Sequence, residues 1–205
     1  MKAVAVALCG AVLWGQARFP QRTLEETAGA ERALAERFLK ETRTGLGGPW
    51  NIMLRSPEMS VHLLEVYNYF RWKTGLPKGL MELAILVVAR EWSVQFEWYA
   101  HYPIALKEGL AAGLLADLRV GKRPGKMTAD EAVVYDFATE LCRKHFVSDA
   151  TFRRAKAALG EKNVVDLTAV IGTYISIGTL LNVGEVAGAS GEGPDFLPPM
   201  GRGNP

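Results

Sequence analysis

A chain of 205 residues, 49% apolar and 22% charged, has room for one ordinary globular domain and is too hydrophobic to be disordered. Its formal charge of +2, with no long Lys/Arg run, argues against a nucleic-acid partner and a polybasic membrane anchor. Cys9 and Cys142 form neither a CxxC pair nor part of a metal-ligand cluster, so no metal site and no cofactor are expected.

Residues 1–17 read as a secretory signal. Lys2 is followed by an apolar run from Ala3 to Trp14, and small residues close it at Gly15 and Ala17. The run is too short to span a bilayer as a helix. The expected location is therefore periplasmic or secreted, the alternative being a cytoplasmic chain with an apolar N-terminal element. The domain proper is expected over residues 18–186. A helix from Leu24 to Thr42 presents Ala33, Leu34, Phe38 and Leu39 on its apolar face and ends at TGLGG. A packed connector follows from Pro49 to Ser56. Ser56-Pro57-Glu58 then combines a Ser cap, Pro at the first helical position and an acid in the first turn, opening a helix to about Thr74.

The next helix, Pro77 to Arg90, is apolar nearly all round and so is expected to be buried. Glu82 inside it is a candidate buried acid, with an exposed first-turn Glu as the alternative. A break near Trp92 follows, with Ser93 placed to cap a helix that runs to Gly109. That helix sets Val94, Glu97 and His101 at i, i+3 and i+7, on one face. Glu97 and His101, four apart, can share a hydrogen bond. A carboxylate beside an imidazole favours its charged form and makes a pair able to move protons near neutral pH. The alternative is an ordinary surface helix pair. Pro103 removes one backbone bond just beyond His101.

A short helix is expected around Ala111 to Val120, then an exposed GKRPGK loop. Thr128 to Glu131 reads as a capping box opening a helix to about His145, with Cys142 in its core stripe. Ser148-Asp149 caps another helix, which Gly160 ends. The longest helix runs from Glu161 to about Val186, and its stretch from Leu167 to Gly184 carries no charge. It is expected to be a buried helix, without stable membrane insertion, because basic anchors do not flank it. Residues 187–205 read as a flexible Gly/Pro-rich tail. With no strand-like alternation anywhere, the fold class is all-α, a single domain of seven or eight helices.

The stretch ELAILVVAREWSVQFEWYAHYPIALKEG resembles the core of the carboxymuconolactone decarboxylase family, which includes the alkylhydroperoxidase-D-like proteins. The resemblance is clearest over residues 55–120. In the peroxidase branch of that family a Glu precedes a Cys-x-x-Cys by twelve positions, and a His follows the second Cys by four. Glu82 and His101 keep that register, and Val94 and Glu97 stand at the two cysteine positions. Peroxide reduction through that motif needs a nucleophilic thiolate and a resolving thiol. The resemblance therefore implies the cysteine-lacking branch: an all-helical homo-oligomer, trimer or hexamer. It further implies a lyase that decarboxylates a small carboxylated lactone or related acid by acid–base chemistry. His101, Glu97 and Glu82 would carry the proton transfer. Arg90 would be the nearest cation for a substrate carboxylate, with a structural ion pair as its alternative. Val94, Trp98 and Tyr99 would line the substrate site, with core packing as the equal alternative for Trp98 and Tyr99. The competing functions are a peroxiredoxin-like antioxidant, disfavoured without the cysteines, and a non-catalytic ligand-binding oligomer.

Overall fold

A computed structural model describes residues 18–186, 188, 193, 194 and 196–198. The signal-like segment 1–17 lies outside them, as does most of the segment 187–205. The described chain is all-helical: α1 Gly29–Glu41, α2 Pro49–Met53, α3 Pro57–Trp72, α4 Lys78–Glu91, α5 Gln95–Lys107, α6 Ala112–Arg119, α7 Ala129–Lys144 and α8 Asp149–Val183.

Helix α4 is the axis of the molecule. It packs against α5, α7 and α8, and also touches α6. Its residues from Glu82 to Arg90 are all buried, as an unbroken apolar run demands. Leu83, Leu86 and Val87 are fully enclosed, each contributing roughly 1.5–3 kcal/mol of burial. This core extends through Trp98, Leu115, Val134, Leu167 and Ile171. A second core forms where α1, α2 and α3 close on the far half of α8, around Phe38, Trp50, Met53, Leu64, Ile177 and Leu181. Trp92 borders both.

The helix ends show where local sequence decides. Thr128 accepts from the Glu131 amide, and Glu131 returns the bond to the Thr128 N–H, the expected capping box. Ser148 caps α8 through the Thr151 amide. Gly160, expected to end one helix, is the residue of α8 that leaves helical conformation, at φ 78°. Four expectations differ. The connector expected from Pro49 to Ser56 holds the short helix α2, and Ser56 stands at the N-cap of α3 without a side-chain cap bond. α1 begins at Gly29 rather than Leu24, because residues 23–27 form a turn, with the Thr27 hydroxyl bonded to the Leu24 carbonyl. Gly29 then enters the helix at φ 55°. Ser93 does not cap α5. It takes φ 52° and closes α4 instead: its amide donates to the Arg90 carbonyl (3.2 Å), and the Val94 amide to the Ala89 carbonyl (2.8 Å). That six-to-one, five-to-two pairing is the Schellman motif, usually built on Gly. It reverses the chain sharply and lays α5 back along α4.

Half of the most apolar 18-residue window of α8 is buried within the body. Its far side, with Thr168, Gly172, Ser176 and Val183, is exposed. The described part of the C-terminal segment is docked on α4–α6. Leu197 is fully buried, its amide bonded to the Gln95 Oε1 at 3.1 Å and its carbonyl taken by the Gln95 Nε2. Arg119 donates to the Phe196 carbonyl at 2.6 Å, and Trp98 Nε1 to the Pro194 carbonyl at 3.0 Å.

Candidate functional site

The chain reversal at Ser93 turns Glu82 of α4 toward the first turns of α5. His101 Nδ1 lies 2.7 Å from Glu82 Oε2, and His101 Nε2 lies 3.2 Å from Glu97 Oε2. Glu97 reaches the ring from one helical turn back, the i, i+4 spacing. Glu82 reaches it across the α4–α5 contact. The side chains of Glu82 and Glu97 are 7% and 5% exposed, and that of His101 is 13% exposed, so the triad is almost dry. Tyr174 of α8 meets the imidazole edge-on, with ring centroids 5.2 Å apart at 88°.

Burial alone would push the imidazole toward its neutral form. The charge and hydrogen bond of Glu82, with those of Glu97, outweigh it and raise the His101 pKa to about 9. At neutral pH His101 is an imidazolium held between two carboxylates. Burial, together with the charges of Glu97 and Glu82, holds the Tyr174 hydroxyl well above its ordinary value, so it stays a neutral phenol.

The triad forms part of the wall of a cavity of about 330 Å³ between the two cores. That volume suits a small molecule. Trp50, Tyr67, Phe70, Phe96, Tyr174 and Ile177 supply apolar and aromatic walls. Arg43, Arg71, Lys78 and Lys107 line it as well, with Glu108. Counting protonated His101, five positive charges face three negative ones, so the cavity favours an anion despite its two buried carboxylates. Phe96 rests on the backbone of Gly48, at φ 60°, where any side chain would strike the ring.

Glu82, Glu97 and His101 thus stand together, whereas the residues expected to bind substrate do not join them. Arg90 is 1% exposed on another side of α4 and outside the cavity lining. Its guanidinium donates to the carbonyls of Arg119 and Pro198, both at 2.9 Å. Among the described residues it has no carboxylate partner: it anchors backbone. Val94 packs in the second core against α8, where a side chain at Gly178 would come within 2.7 Å of it. Trp98 is fully buried in the main core. Tyr99 is half-exposed and lines a neighbouring groove. Lys78, one helical turn before Glu82, was within reach of helical spacing, whereas Arg43 and Tyr174 carry no local sequence signal. Arg43 lies in the turn after α1 and Tyr174 in the middle of α8, both far along the chain from Glu82.

The chain matches no family model and no curated protein. What it does must therefore be argued from the cavity itself, where one cationic imidazole is clamped by two acids beneath a positively charged rim.

Proposed function

We propose that the chain is a carboxymuconolactone decarboxylase-like lyase of the cysteine-lacking branch, with the alkylhydroperoxidase-D-like fold. It acts on a small carboxylated lactone or related unsaturated acid, works as a homo-oligomer, and is exported by way of residues 1–17. The observation that carries the reading is the Glu82–His101–Glu97 triad in the wall of an anion-favouring cavity.

The chemistry follows from the triad. Arg43, whose Nη2 is tied to the Ala100 carbonyl at 3.0 Å, keeps further N–H groups for a substrate carboxylate beside the triad. The bond from the substrate α-carbon to its carboxylate breaks, CO₂ leaves, and the electron pair enters the conjugated system as a dienolate. A proton must then reach carbon. The short bond to Glu82 fixes the imidazole, and the longer approach of Nε2 to Glu97 marks the nitrogen that gives up its proton. Glu97 relays the proton to the substrate, leaving neutral His101 to be recharged from water. Thiol chemistry has little support. Cys142 is buried on α7, and burial, with the nearby Glu91 charge, pushes its thiol up to about 12, far from the thiolate that peroxide reduction needs.

The test is CO₂ release from a panel of carboxylated γ-lactones and β,γ-unsaturated acids. Glu97→Gln should lower kcat about 10²–10⁴-fold with a smaller change in KM. The wild-type rate should fall as pH rises through about 9, where the imidazolium is lost. No CO₂ release by the wild-type protein across the panel at pH 7 would sink the proposal.

A further inference from the structure

A second hollow, of about 530 Å³ and more open than the first, lies against the other side of α5. The two share Arg43, Thr44, Phe96 and Ala100 as walls, so they meet. Its other described walls are Tyr99, Tyr102, Pro103 and Pro194, and among the described residues Arg43 is its one charged wall. The helical repeat explains the junction. Glu97, His101 and Ile104 form one stripe of α5, and Phe96, Ala100 and Pro103 the next stripe round. At the boundary stands Ala100, whose side chain is a single methyl and leaves the passage open. Its carbonyl holds Arg43 there.

We propose that the cavity and this groove form one two-part site for an amphipathic acid. Its carboxylate pairs with Arg43 at the mouth of the triad cavity. Its apolar arm, an aryl or short acyl group, crosses Ala100 and lies on Tyr99, Tyr102 and Pro103. Charge complementarity places the anion: Arg43 is the cation common to both halves, and among the described residues it is in no ion pair. The aromatic and prolyl walls beyond it offer an apolar arm contact area and no hydrogen-bonding demand. The inference rests on the acid-binding part of the function proposed above and narrows its substrates to acids carrying such an arm. Ala100 is then a specificity-determining residue, because its size sets whether an arm can pass.

The experiment is calorimetric binding of 4-phenylbutyrate and of butyrate to the full chain, without any requirement for turnover. Wild type should bind 4-phenylbutyrate about tenfold or more tightly than butyrate, in line with burial of one phenyl group. Ala100→Leu should erase that preference while still binding butyrate. Tyr99→Ser, at a half-exposed position that does not bear on folding, should reduce the preference severalfold and serves if the Leu variant folds poorly. Equal affinities in wild type, no binding of 4-phenylbutyrate, or an undiminished preference in both variants would overturn the proposal. CO₂ release from short acids with equal affinities would sink the two-part site alone. Arm-dependent binding with no CO₂ release would sink the lyase reading and leave the site standing.

Discussion

Replacing His101 with Ala is expected to destabilise the protein by about 3–5 kcal/mol near pH 7, and by less as pH rises through about 9. Glu82 and Glu97 are almost fully buried, and the imidazolium is the cation between them. Without it, two carboxylates face each other in a dry wall. The sign of the pH dependence follows from linkage. The folded-state pKa of His101, about 9, lies above the ordinary value of 6.5. Its stabilisation is therefore fully present below about pH 6.5 and is lost as pH rises through 9. The gap between wild type and variant should narrow on the alkaline side as the wild type loses that term. Urea unfolding of both proteins at pH 6.5, 8 and 9.5 measures this directly. A gap that is flat with pH would mean that the three groups are not coupled as the distances imply.

Arg90→Ala is expected to cost about 3 kcal/mol of stability while leaving ligand affinity at the cavity nearly unchanged in the folded protein. Arg90 carries its charge in the core, has no carboxylate contact among the described residues and is held by backbone carbonyls. Removing it leaves a void and strips the Arg119 and Pro198 carbonyls of their donor. Pro198 belongs to the segment that buries Leu197 and is clasped by Gln95, at the start of the helix that carries Glu97 and His101. The loss should therefore appear first as proteolytic release of the C-terminal segment, at lower urea than global unfolding. Limited proteolysis and butyrate binding on the same preparation separate the two roles. A variant of wild-type stability that no longer binds the anion would restore Arg90 to the substrate site.

The contrast between Arg90 and Arg43 shows what the sequence could and could not convey. Helical spacing alone joins Glu97 to His101, and the two do meet. Joining Glu82 needs the chain reversal at Ser93, which the residue types there do not announce, since Ser in the left-handed region is uncommon. Only the resemblance drawn from the sequence implied that pairing. Arg90 shares a helix with Glu82, yet eight residues is more than two helical turns, and the two side chains lie on different sides of α4; Lys78, four residues before Glu82, is the cation of that helix that faces the cavity. Trp98 adjoins Glu97 in sequence and for that reason points away from it, into the core. Most of the helices were legible because caps, glycines and apolar stripes are local, but the five-residue α2 was too short to show a stripe and read as a connector. Arg43 and Tyr174 reach the cavity only through the packing of α1 on α3 and of α8 on α4, which no short window of sequence encodes.

The measurement that bears most directly on the proton-transfer account is an NMR titration of the His101 imidazole, assigned with His101→Gln and repeated in Glu82→Gln. The account predicts a midpoint near 9 in the full chain and a fall of at least one unit when the Glu82 charge is removed. A midpoint at or below the ordinary 6.5, unmoved by Glu82→Gln, would mean that His101 is neutral at pH 7 and has no proton to give.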